Sequence, residues 1–410
     1  MRLIILTQYY PPEHGAPQNR LHDLAARAVK MGHKVTVLTA MPNYPQGKIF
    51  KDYRRKFTFK EDIDGVKVIR SWIFTSKKKS LIPQLTVYFS FVFTSLIVGL
   101  FRLRKADFLI CESPPLFLGF SAIFLSLFKR AGLVMNISDL WPESAVQLGL
   151  IGPGLKLSIL EWFEKKLYKK SVFVLCQTEG IVTGVLKSYP KTKTILYPNG
   201  VDLEMFKKIP KSKDTAEELN IDTTKFIVGY GGNHGRSQAL SQVLKAAKIV
   251  SEKNKNITFL FFGDGPEKED LQEESRQMKL KNTIFFPSQP RKKMALIQSL
   301  WDLALVPLKN IELFDGARPS KMFELMAGGI PFIFSGKGEG ADIALESGCA
   351  FVVPPENSEK LAEQIIEFAK ISDKKRSQMQ ERGRNFVSLN FDRKKLAADL
   401  MQQLENKLKK

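Results

Sequence analysis

Cysteine and histidine are scarce in this 410-residue chain, which has three of the first and four of the second. Cys111, Cys176 and Cys349 sit in separate apolar runs. Three scattered thiols make no disulfide framework and read as buried, reduced cysteines of a cytosolic protein. No Cys/His spacing of the zinc type occurs. Acid is short as well: 42 Asp and Glu against 63 Lys and Arg leave a formal charge of +21. The start, MRLIILTQYYPPEHG, has only four consecutive apolar residues. A secretory signal needs about 7–15, so this segment reads as a buried strand instead. There is no internal repeat or low-complexity segment. The 44% hydrophobic and 26% charged shares are ordinary globular proportions, which excludes disordered, collagen-like and coiled-coil classes.

What is present is unevenly placed. Residues 1–130 hold 21 Lys and Arg against 8 Asp and Glu, a net of +13, leaving +8 for the remainder. Nucleic acid, an anionic membrane or an anionic substrate would each account for such a field. The same third carries two long uncharged stretches. Residues 80–101, SLIPQLTVYFSFVFTSLIVGLF, lie between Lys79 and Arg102 and match the roughly 20 residues that span a bilayer. Topology argues against a crossing, because the strand-like runs Val66–Ile73 and Phe108–Cys111 on either side look like parts of one sheet. Thr86, Ser90 and Thr94 recur every four residues and draw a polar stripe on a helix. Two readings remain: a core helix, or an interfacial helix dipping into lipid beside Lys77, Lys78 and Lys79. The lysines and the surplus charge favour the second. Residues 114–128, PPLFLGFSAIFLSLF, end at Lys129-Arg130 and fit either environment.

Short apolar runs alternate with helical patterns along the chain. Strands are expected at Arg2–Thr7, Lys34–Thr39, Val66–Ile73, Phe108–Cys111, Leu133–Ile137, Val172–Gln177 and Thr194–Tyr197, with a helix at Arg20–Met31. After the turn-rich PNGVDLEMF a second series begins, with strands at Phe226–Tyr230, Thr258–Phe262, Thr283–Phe286, Leu303–Val306 and Pro331–Phe334. Such alternation gives α/β domains with parallel sheets. The expected architecture is two doubly wound, Rossmann-like domains, residues 1–203 and 204–385, with a C-terminal helix 386–410 joining the first. Ligands bind outside the carboxyl ends of such strands, so two facing sheets would make one interdomain cleft.

Three loops of the second half carry phosphate-binding features. GYGGNHGRSQAL (229–240) leaves a strand and enters a helix. Its glycines, Gly232 among them, let the backbone approach an anion, with Asn233 and Arg236 beside them. The spacing is not GxGxxG, which makes a dinucleotide reading weak. FFGDGPEKEDL (261–271) follows another strand, and turn geometry alone could explain its glycines. In FDGARPSKMFELMAGGIPFIF (314–334), Pro319 and Ser320 start a helix with Ser320 as N-cap. Arg318 and Lys321 flank its N-terminus, where unpaired amides already attract anions. Glu324 lies one turn on. A carboxylate there is unfavourable beside phosphate unless it accepts from neutral hydroxyls, as on a ribose; an exposed helix residue is the alternative. In the first half, Gly15 of TQYYPPEHGAPQNR could bring backbone to the same phosphates. NISDLWPES places Asp139 and Glu143 at a strand end, where an acceptor hydroxyl could be held; a helix-capping Asp is the alternative. Asp62-Ile63-Asp64 has the form of a metal-binding pair, but the following Gly65 makes it a hairpin turn.

Taken in order, PPEHG, GHKVTVLT, SDLWPES, PNGVDLEMF, GYGGNHG, FFGDGPEKEDL, PSKMFELMAGGIP, GEGADIALESGCAFVVPPEN and RGRNFVSLNF resemble the retaining sugar-nucleotide glycosyltransferases of family four. Within it they are similar to the fucosamine-transferase-like branch serving O-antigen, capsule and exopolysaccharide assembly. The resemblance covers nearly the whole chain. It implies the GT-B fold, a donor nucleotide held by the C-terminal domain, an acceptor held by the N-terminal domain, and no metal or other cofactor. It also marks departures. Many members carry a Glu eight residues before the one matching Glu324; here that position is Gly316, with Asp315 beside it. Asn233 and Gln238 stand where many have Arg and Lys, and Ser138 stands where a His is often found.

The resulting expectation is transfer of a sugar, an N-acetylated amino sugar, from a UDP-sugar to a polyprenyl-diphosphate-linked saccharide. The site would be the cytoplasmic face of a bacterial inner membrane, with the protein held peripherally on the anionic surface. Asp139, Arg318 and Lys321 are the catalytic candidates. Gly15, Gly232, Asn233, Arg236, Ser320 and Glu324 are the donor-binding candidates, and His14 and Glu143 the acceptor-binding ones. A sugar-nucleotide 2-epimerase on the same fold is one alternative, although SDLWPES and PNGVD do not resemble that family. A basic nucleic-acid-binding protein is another, against which stands the lack of an aromatic-interleaved basic motif.

Overall fold

The structure, a computed structural model, describes residues 1–13, 15–44, 46–76, 81–147, 149 and 151–409. The chain divides into two compact units, Met1–Pro198 with Lys394–Lys410, and Asn199–Arg393.

The first unit is built on an eight-stranded sheet. Its strands are β1 (Arg2–Leu6), β2 (Lys34–Ala40), β3 (Thr58–Ile63), β4 (Val66–Ser71), β5 (Phe108–Ser113), β6 (Gly132–Ile137), β7 (Phe173–Cys176) and β8 (Thr194–Leu196). Their order is β3-β4-β2-β1-β5-β6-β7-β8, and only the β3–β4 pair is antiparallel. Asp64 and Gly65 make that hairpin turn with positive φ at both positions, 53° and 79°, as a tight two-residue turn requires. Asp62 accepts from the Gly65 amide at 2.8 Å and Asp64 meets His22 at 2.9 Å. Helix Ala16–Lys30 starts one turn before the expected Arg20, because Pro17 in the first turn is tolerated there.

β4 and β5, which flank helix Leu81–Arg102, lie in one sheet. A bilayer crossing by that helix would part them. Two of the three stripe residues turn inward, while Thr86 stays exposed: Ser90 Oγ accepts from the Phe74 amide at 2.9 Å and Thr94 donates to the Trp72 carbonyl at 2.5 Å. Phe89, Phe93 and Phe101 are left exposed. Helix Leu118–Lys129 packs beside it, with Ser95 donating to Ser121 at 3.1 Å and Leu125 set against Gly99. It too exposes Phe120, Phe124, Leu127 and Phe128.

The second unit holds a six-stranded, wholly parallel sheet. Its strands are β9 (Phe226–Gly231), β10 (Ile257–Phe262), β11 (Thr283–Phe286), β12 (Leu303–Pro307), β13 (Phe332–Ser335) and β14 (Ala350–Val353), in the order β11-β10-β9-β12-β13-β14. The four inner strands are almost wholly buried and the two outer ones largely half-buried, as expected for a sheet covered on both faces.

The boundaries differ from the expected 203/204 and 385/386. Helix Asp373–Asn390 runs through residue 386, and Val387 and Phe391 belong to the second core. Val201 pairs with Asp392, and Arg393 Nε donates to the Gly200 carbonyl at 2.8 Å. The chain therefore rejoins the first unit only with helix Arg393–Leu408, whose Ala397, Leu400, Met401 and Leu404 pack with Leu3 and Ile5 of β1.

Candidate active site

In the second sheet the order reverses between β9 and β12, the switch point where doubly wound sheets bind ligands. The loops leaving the strands here are tied together by backbone bonds. Lys309 N donates to Ser237 O at 3.0 Å, His234 N to Asp264 O at 2.9 Å, and Glu339 N to Asp315 O at 2.7 Å. A Cβ on Gly263 would collide with the Gly232 carbonyl. Bare glycine is thus what lets the β9 and β10 loops meet.

Lys321 occupies the centre. Its helix, Ser320–Gly328, follows the β12 loop, and its Nζ lies 4.2 Å over the Tyr230 ring and 3.3 Å from Gln238 Oε1. A Cβ on Gly232 would stand 2.7 Å from that Nζ. Gly232 has φ 149°, so the loop bends toward the lysine at a residue where a side chain would both strain the backbone and block the ammonium. Desolvation lowers the Lys321 pKa to about 7, with Glu324 pulling it upward. A cation with no strong protein acceptor, at a helix N-terminus beside a glycine loop, is suited to an anion.

The other candidates differ in their settings. Arg318 is 10% exposed and donates through Nε to Glu339 Oε2 at 2.6 Å. Glu324 accepts from Arg291 at 2.9 Å, and that guanidinium also lies over Phe206. Ser320 is the first helical residue, not the cap: Pro319 takes that place and no side chain caps the amides. The reason is that Ser320 already has helical geometry, so its hydroxyl does not turn back along the chain. Asn233 is exposed, and its carbonyl accepts from Tyr230 Oη at 2.6 Å. The Arg236 side chain is 89% exposed, and Glu267, 3.9 Å away, is too distant for a hydrogen bond. His234, between Asn233 and Gly235, is fully buried with neither ring nitrogen hydrogen-bonded to a described residue. Burial, reinforced by Lys268, lowers its pKa to about 4, so it stays neutral against Tyr230 and Phe285.

In the first unit Gly15 precedes helix Ala16–Lys30, and a Cβ there would collide with the Gln18 amide. His14 lies outside the described residues, as do Lys77, Lys78 and Lys79. Glu143 is exposed on the short helix Glu143–Gln147. Asp139 accepts from the Ser144 side chain and the Leu140 amide, and burial raises its pKa. A polar row that sequence reasoning missed lies at the carboxyl ends of β5, β6 and β7. Arg20 donates to Glu112 and to Ser138, each at 2.7 Å, Gln177 donates to Ser138 at 2.7 Å, and Asn136 donates to Glu112. Glu112 and Asn136 are paired across β5 and β6, Ser138 and Gln177 follow the ends of β6 and β7, and Arg20 comes from a helix, so the grouping is visible only once strand order is known. Asn136 Oδ1 and both side-chain polar atoms of the buried Gln8 are without a hydrogen-bond partner among the described residues. Among those residues no group of three or more His, Cys, Asp or Glu is placed to hold a metal ion.

Comparison with known proteins identifies the two domains. Residues 15–200 match the "Glycosyl transferase 4-like domain" family and residues 211–386 the "Glycosyl transferases group 1" family. WcaI of Escherichia coli K12, named as a colanic acid biosynthesis glycosyl transferase, is 25% identical over 336 residues, 80% of this chain and 82% of WcaI. Among solved structures, HepE of Anabaena in complex with UDP and glucose superposes with a TM-score of 0.72 at 15% identity, covering 99% of both chains. WaaG, a glycosyltransferase involved in lipopolysaccharide biosynthesis, gives 0.70 at 16%, covering 98% of this chain and 99% of its own. With a glycosyl transferase 4-like domain followed by a glycosyl transferases group 1 domain, on the GT-B fold, the chain belongs to the glycosyltransferases of these two domain families.

Proposed function

We propose that this chain transfers an N-acetylated amino sugar from a UDP-sugar to a polyprenyl-diphosphate-linked saccharide, with retention of anomeric configuration and without a metal, during assembly of a bacterial surface polysaccharide. The observation that carries the donor half is the Lys321 ammonium, poised between a glycine loop and a helix N-terminus at the switch point of the second sheet. As the glycosidic bond lengthens, positive charge builds on the sugar ring and negative charge on the leaving diphosphate. Lys321 and the helix amides stabilise that diphosphate without rearranging, the electrostatic contribution that commonly dominates such steps. Glu324, held by Arg291, accepts from the ribose hydroxyls. Asn233, Arg236 and Ser320 line the approach. The proton of the acceptor hydroxyl passes to the leaving phosphate, with Asp139 and Glu143 orienting the acceptor.

The acceptor and the location rest on the first unit. A helix with Ser90 and Thr94 turned inward and Phe89, Phe93 and Phe101 outward suits a lipid interface rather than water. Arg102, Arg104, Lys105 and Arg130, all exposed, sit at the ends of the two apolar helices and complement an anionic leaflet and an anionic lipid diphosphate. A peripheral position on the cytoplasmic face of the inner membrane follows from this reading. The test is a thermal-shift screen of UDP-, GDP- and dTDP-sugars, followed by product analysis with a polyprenyl-diphosphate saccharide. Stabilisation by a UDP-sugar and a lengthened lipid-linked product are expected. Conversion of the sugar nucleotide without acceptor would indicate an epimerase instead.

A further inference from the structure

We propose that helix Leu155–Lys170 is a further lipid contact of the first unit, meeting an anionic bilayer surface through Leu155, Ile159 and Trp162. This contact rests on the peripheral-membrane reading above, but on different residues. The helix has two faces. Phe163, Glu164, Leu167 and Tyr168 are buried in the unit. Away from them, Leu155, Ile159 and Trp162 are 78%, 54% and 59% exposed. Spacings of four and three residues set these three on one stripe, which Lys166 and Lys169 continue. The stripe is thus apolar over its first half and cationic over its second.

Charge placement says what covers it. Lys156, Lys165, Lys166, Lys169 and Lys170 are all exposed, whereas of the two acids of the helix Glu161 is exposed and Glu164 buried. Lysines in the last turn suit the end of any helix dipole. Lys156 does not: it stands in the first turn, where the dipole disfavours a cation and an external anion would offset the cost. Lys166 Nζ lies 4.7 Å over the Trp162 ring. An aromatic body with an ammonium reaching past it suits the boundary between acyl chains and headgroups. A wholly apolar partner would leave these lysines without anions, and a second copy would bring the same lysines and be repelled. The face also adjoins helix Leu118–Lys129, because Phe163 stacks on Phe120 with 4.1 Å between ring centroids. Separate lipid contacts on one unit set its tilt on the membrane as well as holding it there.

The test uses the full chain and vesicles of phosphatidylglycerol and phosphatidylethanolamine, with and without bromine on the acyl chains. Wild type should bind, and the bromolipid should quench its tryptophan emission. In Trp162→Phe a large part of that quenching should vanish. Ile159→Ser and Trp162→Ser together should keep the wild-type melting temperature and lose about tenfold in vesicle affinity. Should the double variant melt early, the quenching decides. Wild-type affinity in a stable double variant, or undiminished quenching in W162F, would overturn the contact. So would a wild-type dimer in solution that the double variant abolishes, which would give the face to a second copy. Vesicle binding that only Phe93→Ser and Phe101→Ser weaken would overturn this contact and leave the peripheral-membrane reading intact. Failure of wild type to bind vesicles at all would contradict both.

Discussion

In the proposed reaction the donor chemistry turns on Lys321, whose setting would make it pH-dependent. A lysine whose pKa lies at about 7 is charged below that pH and increasingly neutral above it. A bound diphosphate favours the charged form, so binding takes up a proton. UDP affinity should therefore weaken as pH rises from about 7 to 9; in Lys321→Ala that dependence should flatten. Calorimetry in buffers of different ionisation enthalpy checks both points, and pH-independent binding by wild type would refute them. K321A should also reduce turnover by about 10²–10³-fold. The cluster of Arg318, Lys321 and Glu324 was legible because a helix N-terminus, two cations and a carboxylate fall within seven residues. Their partners were not: Arg291 and Glu339 open other helices, and only the fold brings them to Glu324 and Arg318. Arg236, expected among the donor-binding residues, shows the converse: its side chain is 89% exposed.

At the scale of elements, the helix Leu81–Arg102 is the informative case. Its length, its lack of charge and its four-residue polar repeat are all in the sequence. Which way Ser90 and Thr94 face is not, because that depends on the segment at 72–74, whose Phe74 amide donates to Ser90 and whose Trp72 carbonyl accepts from Thr94. Replacing Phe93 and Phe101, which are 66% and 83% exposed, with Ser should leave the melting temperature nearly unchanged and reduce sedimentation with anionic vesicles. Undiminished vesicle binding would remove the interfacial role. The strand alternation was equally legible, since buried parallel strands read as short apolar runs. Helix starts were less so, as Pro17 shows. Loop contacts were hidden altogether. Gly263→Ala should destabilise by about 1–3 kcal/mol, because its Cβ would strike the Gly232 carbonyl and part the two phosphate loops. Chemical denaturation measures this, and an unchanged midpoint would contradict the packing.

For the whole molecule, the two-unit architecture followed from two strand series separated by a connector, but the exact crossing points did not. They depend on Val201 pairing with Asp392, residues 191 positions apart in the chain. The uneven charge also acts at this scale. A field of +13 over the first 130 residues should make vesicle binding fall when salt is raised to about 1 M, where the Debye length is near 3 Å. Binding that persists fully would assign the attachment to the apolar helices alone. The most direct measurement is a crystal structure of the full chain with UDP. The diphosphate should lie within hydrogen-bond distance of Lys321 Nζ and the amides opening helix Ser320–Gly328. UDP bound elsewhere, with Lys321 still directed at Gln238, would contradict the assignment of this pocket as the donor site.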